Sequence, residues 1–167
     1  MTKNTDFNKF IEKYATHPKV VEMKNYSHHG INRYDHSYRV AYHTYVITKK
    51  IKLNYKSATK AAMLHDFFHS EVQDDNSVKR LIAHPDYAVI NAKKHFGINE
   101  MEEDIISKHM FPITFSPPKY VEGWIVDIVD DYVSIYERLL SVFKSLKFGL
   151  NANILLLLVI INSFFVI

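Results

Sequence analysis

Apolar residues recur at intervals of three and four in one segment after another, and this spacing constrains the chain to helices. Phe7, Phe10, Ile11 and Tyr14 predict a short amphipathic helix ending before Pro18, and Val20 to Tyr26 a second. After a polar turn, Ser27-His28-His29-Gly30-Ile31-Asn32, the residues His36, Val40, His43, Ile47 and Ile51 share one helical face, which turns His36 inward. Ser57 is suited to cap the next helix, whose stripe of Ala58, Ala61, Ala62, His65, Phe68 and His69 carries Asp66 at its margin. Pro85, at a first helical position, opens a segment through His95 that Gly97 stops, and this places His84 at a helix entrance. Asn99 with Glu102 reads as a capping box for a helix holding Met101, Ile105 and His109 and ending before Pro112. A long last helix follows Ser116-Pro117-Pro118, with Val121, Ile125, Ile128, Tyr132, Ile135 and Leu139 as its expected core stripe and Asp127, Asp130 and Asp131 beside it. Only 4 glycines and 5 prolines punctuate the chain, too few for a loop-rich β-protein, so the expected class is all-α.

No shift of composition precedes residue 148, so residues 1–147 are expected to form one domain. Residues 148–167 differ: none is charged, and Ile154 to Ile161 is a continuous aliphatic run interrupted on either side by Asn153 and Asn162. That stretch just reaches the length of a membrane span. A membrane anchor, a buried or homo-oligomer-forming terminal helix, and a tail unrelated to the domain's chemistry are the alternatives. Met1 to Phe10 alternates polar and charged residues, so no signal peptide is expected. The chain has no cysteine, which suits a reducing compartment and leaves nitrogen and oxygen as the only metal donors. A cytoplasmic location is expected, membrane-associated if 148–167 inserts. The net charge of +3 is spread along the chain without a basic cluster, so no nucleic-acid partner is expected.

Ten histidines in such a chain need an account. A lone inward histidine is more often a hydrogen-bonded core residue than a ligand. The adjacent His65 and Asp66, flanked by Met63, Leu64, Phe67 and Phe68, offer an imidazole nitrogen and a carboxylate able to bridge two cations in a dry setting. A His-Asp dipeptide alone is common. The ordered set is more specific: Tyr34-Asp35-His36-Ser37-Tyr38-Arg39-Val40-Ala41, then Leu64-His65-Asp66, His84-Pro85, His109-Met110-Phe111-Pro112 and Val129-Asp130-Asp131.

This order and spacing resemble the HD-domain phosphohydrolases over roughly Tyr34 to Glu137. The resemblance implies an HD-domain helical bundle with His36, His65, Asp66 and Asp130 as ligands of a first metal ion, and it selects Asp130 over Asp127. Two-metal members add a His-Pro histidine and one further on, which implies His84 and His109 as ligands of a second ion. Where cyclic-dinucleotide phosphodiesterases of the superfamily carry Gly and Lys after the signature pair, this chain has Phe68 and His69, and their Gly-Tyr-Pro element is missing. Cleavage of a cyclic dinucleotide is therefore not expected, and His69 is left as a catalytic acid, a further ligand or a core residue.

The activity implied is hydrolysis of a phosphomonoester or phosphodiester, with a nucleotide or other phosphorylated small molecule as substrate. One or two divalent cations would activate water, with Asp66 central to catalysis. Histidine and carboxylate donors suit Mn, Fe, Co, Ni or Zn better than Ca, and Mg if waters complete its shell. Arg33, Lys79, Arg80 and Lys108 are candidates to hold substrate phosphates. Tyr38, Tyr42 and Tyr45 are candidates either to stack a base or simply to pack. Two rival readings are an HD-type di-iron oxygenase and a non-catalytic, metal-stabilised helical module.

Overall fold

The structure is a computed structural model that describes residues 5–28, 31–69 and 77–145. The segment 148–167, and with it the expected boundary at 147, lies outside the described residues. Among the described residues no helix is long and apolar enough to cross a membrane.

The fold is all-α, with one very short hairpin among the described residues. Helix α1 (Thr5–Ala15) buries Phe7, Ile11 and Tyr14 as its spacing requires. The expected helix from Val20 to Tyr26 divides into α2 (Pro18–Val21), with Pro18 in its first turn, and a 3₁₀ turn, Glu22–Asn25. The polar turn becomes strands β1 (Ser27–His28) and β2 (Ile31–Asn32), antiparallel, with Ser27 opposite Asn32. Asn32 then caps α3 (Arg33–Lys50) by accepting from the Asp35 amide, 2.8 Å.

Helix α3 turns a different face inward than its aliphatic residues suggest. His36 and Val40 are fully buried, but Ile47 and Ile51 face solvent. The buried seam is Ser37, Ala41, Thr44 and Thr48, opposite Ala58, Ala61 and Ala62 of α4 (Tyr55–Leu64). Small side chains on both helices let the backbones approach closely, and the larger isoleucines are displaced to the edge. The Tyr38, Tyr42 and Tyr45 rings lie 5.2–5.4 Å from the buried Phe7 ring, so all three pack α3 against α1. The base-stacking alternative for this run has no support in that arrangement.

Helix α4 is capped by Asn54, not Ser57; the Ser57 amide donates to Asn54 Oδ1 at 3.2 Å. It ends at Leu64 with His65 as its C-cap, so the expected single helix carrying His65, Asp66 and His69 does not form. Helix α5 runs Ser77–Phe96 with Pro85 inside it, and His84 is therefore a mid-helix residue. Gly97, at φ +55, ends α5 as expected. The capping box at Asn99 and Glu102 opens α6 (Glu100–Lys108). Lys60 ties α4 to this corner, donating to the Gly97 carbonyl at 2.6 Å and to Glu102 at 2.7 Å.

The last helix, α7 (Val121–Ser145), is also rotated relative to expectation. Its buried residues are Glu122, Val126, Asp127, Val129, Val133 and Glu137, whereas Val121, Ile128, Tyr132, Ile135 and Leu139 face solvent. Three buried carboxylates, with the partly buried Asp130 beside them, thus point inward, which a purely apolar face could not provide. The Asn54 amide donates to Glu122 Oε1 at 2.9 Å and holds the start of α7 against the α3–α4 connection.

Candidate metal centre

Five helices converge on one buried cluster. His36 comes from α3, His65 and Asp66 from the end of α4, His84 from the middle of α5, His109 from the end of α6, and Asp130 from the inner face of α7. His36, His65, His109, His84 and Asp66 are all buried. Three overlapping groups, His36/His65/Asp66, His65/His109/Asp130 and Asp66/His84/His109, each have one donor atom per residue within 4.8 Å of one another. The six residues expected as ligands are therefore brought together.

Two of the histidines are held by the same local device. His65 and His109 are the C-caps of α4 and α6, and each ring donates Nδ1–H to a carbonyl three residues back: Ala62 at 2.7 Å and Ile106 at 2.8 Å. Both Nε2 atoms are thereby aimed into the cluster. Burial, with His65 and His84 nearby, pushes the His109 ring down to about 3, so it is neutral and presents a lone pair at Nε2. His65 Nε2 is buried with no hydrogen-bond partner.

The distances suit donors around cations. Nitrogen and oxygen atoms about 2.0–2.2 Å from one ion, at 90–110° to each other, lie roughly 3–3.5 Å apart. Here His84 Nε2 lies 3.0 Å from His109 Nε2 and 3.3 Å from Asp66 Oδ1, and His109 Nε2 lies 3.8 Å from the same oxygen. On the other side, His65 Nε2 is 3.8 Å from Asp66 Oδ2 and 3.6 Å from Asp130 Oδ1. Two imidazole nitrogens facing each other need a proton or a cation between them, and an orphaned buried lone pair needs an acceptor for its electrons. Asp66 turns one oxygen to each side, as a bridging carboxylate would. Among the described residues the donor set fits one or two divalent metal ions.

Sequence reasoning missed the support behind His36. Its Nε2 faces Asp130 Oδ1 at 2.8 Å and its Nδ1 faces Glu137 Oε2 at 2.9 Å. Burial disfavours charge on this ring, but hydrogen bonds to Asp130 and Glu137 outweigh it and raise the ring to about 10. The Asp130 carboxyl is likewise held below the usual carboxylate range against its burial, by His65 and His36. Glu137 is 1% exposed, and Arg39 reaches its second oxygen at 2.9 Å. The signal was available: Glu137 lies seven residues after Asp130 on one helical face, and Arg39 one turn after His36.

The other expected residues are placed less centrally. His69 lies outside the three groups, with Nε2 3.9 Å from Glu22 and its ring stacked on Tyr26 at 5.6 Å. Lys108 is engaged by Asp104 at 2.6 Å, which leaves the phosphate role assigned to it without structural support. Arg33 is buried at the cluster's border, donating to the Phe68 carbonyl with its guanidinium 3.6 Å over the Phe68 ring, and that ring is 5.1 Å from His84. The side chains of Lys79 and Arg80 lie outside the described residues. Asp127, which the resemblance passed over, is buried one turn before Asp130, and burial plus the charges of Asp131 and Asp130 raise it to about 7.

No curated protein and no solved structure matches the chain. Residues 33–134 match the family model described as HD domain, a span that exceeds half the sequence and contains all six converging residues. The chain belongs to the HD-domain family, a superfamily of metal-dependent hydrolases, as the ordered histidines and aspartates led us to expect.

Proposed function

We propose that this protein is a metal-dependent phosphohydrolase acting on a phosphomonoester or phosphodiester, with a nucleotide as the expected substrate class. The observation that carries the reading is Asp66, whose two oxygens face two different sets of imidazole nitrogens. His36, His65, Asp66 and Asp130 would hold one ion, and Asp66, His84 and His109 a second. When bound, such ions supply a water nucleophile at neutral pH and stabilise charge on phosphoryl oxygens, so no protein nucleophile is required.

The chain's own residues do the rest. Ala62 and Ile106 fix the tautomers of His65 and His109, and Glu137 fixes that of His36, so three rings meet the site without searching for an orientation. Met63, Leu64 and Phe67 are fully buried around the cluster and exclude bulk water. Among the described residues, Arg33, held on Phe68 beside His84, is placed to meet a substrate phosphate.

The test is a phosphatase and phosphodiesterase screen over nucleotides with protein loaded separately with Mn, Fe, Co, Ni, Zn and Mg. Metal-dependent phosphate release that vanishes in Asp66→Ala is expected. Four imidazoles with two carboxylates also suit iron. Oxygen consumption by the iron-loaded protein without any phosphate release would replace this reading with an oxygenase.

A further inference from the structure

Helix α7 carries a second apolar line that the described residues leave largely uncovered. Val121, Ile125, Ile128, Tyr132, Ile135, Leu139 and Val142 follow one another in steps of four, three, four, three, four and three. Six of them are 45–63% exposed, and Ile125 is partly buried. Isolated surface apolar residues are ordinary, but a continuous line over some three heptads is not. A core-facing helix shows a broad apolar arc, whereas a line of alternating three and four is as wide as the seam between two helices. The helix cannot roll this line inward, because the opposite face already places Asp130 and Glu137 at the metal centre.

We propose that this face joins two copies of this chain, α7 against α7 in antiparallel orientation about a two-fold axis. An axis near residues 133 and 134 sets Tyr132 against the partner's Ile135, Ile128 against the partner's Leu139 and Ile125 against the partner's Val142. Every apolar position from 125 to 142 then meets another. The same register brings Asp131 beside the partner's Arg138, both exposed and both on the same flank of the seam. Sliding by one heptad would set Asp131 against the partner's Asp131. Parallel pairing would set Asp131 and Arg138 opposite Tyr136 and Phe143. Only the antiparallel register around 133 and 134 satisfies both the apolar line and the charges.

Helix α3 widens the surface. The His43 ring is 6.5 Å from Tyr132, so Ile47 and Ile51, which face solvent one and two turns further along α3, flank the same seam. Two copies would thereby form a four-helix arrangement of α3, α7 and their symmetry mates.

Sedimentation of the full chain over a range of concentrations tests this. A dimer is expected, and Ile135→Glu should make it monomeric with unchanged helicity and metal content. Asp131→Arg and Arg138→Asp should each weaken the dimer by about tenfold or more, and combining them should restore it, since opposite charges again meet. A wild type that stays monomeric overturns the proposal, including the case in which residues 146–167 themselves cover the face. So does a dimer that survives Ile135→Glu, and failure of the double charge reversal to rescue association overturns the antiparallel register.

Discussion

A fully buried glutamate is expensive unless it is paired, and Glu137 is paired twice, with the His36 ring and with Arg39. Its place behind a metal-facing imidazole gives it a positioning role: accepting from Nδ1 aims Nε2 and makes it a better donor. Glu137→Gln keeps a hydrogen-bond acceptor and removes the charge, so metal affinity should fall ten- to a hundredfold while the fold survives. Equilibrium dialysis against a metal buffer, with circular dichroism as control, checks this, and an unchanged affinity would reduce Glu137 to a packing residue. Asp127 raises a different question, because burial and two neighbouring aspartates lift it to about 7. Its folded pKa exceeds its unfolded value of about 3.9, so the native state binds the extra proton, and stability should fall as pH rises from about 4 to about 7. In metal-free protein, Asp127→Asn should therefore raise the melting temperature at pH 8 and leave it nearly unchanged at pH 4. Equal shifts at both values would show that the carboxyl ionises without penalty.

Among the elements, some helix ends were legible, whereas the inward faces of α3 and α7 were not. The Asn99–Glu102 box, the stop at Gly97 and the break before Pro18 are local signals that the structure contains as read. Pro85 misled because a proline suits a first turn, yet here it lies within α5 at a cost of about 3 kcal/mol or more that packing must offset. The faces of α3 and α7 misled for a tertiary reason. Both helices carry an aliphatic line and a second line of small or acidic residues, and local periodicity cannot tell which of two faces meets the core. On α7 the decision rests partly on Gly123, since a Cβ there would lie 2.7 Å from Pro118 Cβ. Gly123→Ala gains about 1 kcal/mol of helix propensity but incurs about 1–3 kcal/mol of overpacking. A net loss is expected, read as a lower urea midpoint with metal content unchanged. A rise in midpoint would mean that the loop yields easily and that close approach at this position is not required.

At the scale of the whole molecule, the site was more legible than the packing that builds it. Each of His36, His65, Asp66, His84, His109 and Asp130 could be named because the order of motifs resembles the HD-domain phosphohydrolases; taken singly, their residue types left a core histidine as the commoner reading. His109 at the end of α6 was readable, but His65 at the end of α4 was not, since that end depends on how the chain turns at Asp66. Arg39 and Glu137 went unread because an Arg and a Glu on helix surfaces are ordinarily solvated. A two-metal centre requires Asp66 to serve two ions at once. Metal stoichiometry of the purified, dialysed chain by elemental analysis addresses this directly, in wild type and in His84→Ala, His109→Ala and Asp66→Ala. About two ions per chain in wild type, about one in each histidine variant with the fold intact, and none in Asp66→Ala are predicted. A single ion in wild type that persists undiminished in His84→Ala and His109→Ala would contradict the two-metal centre.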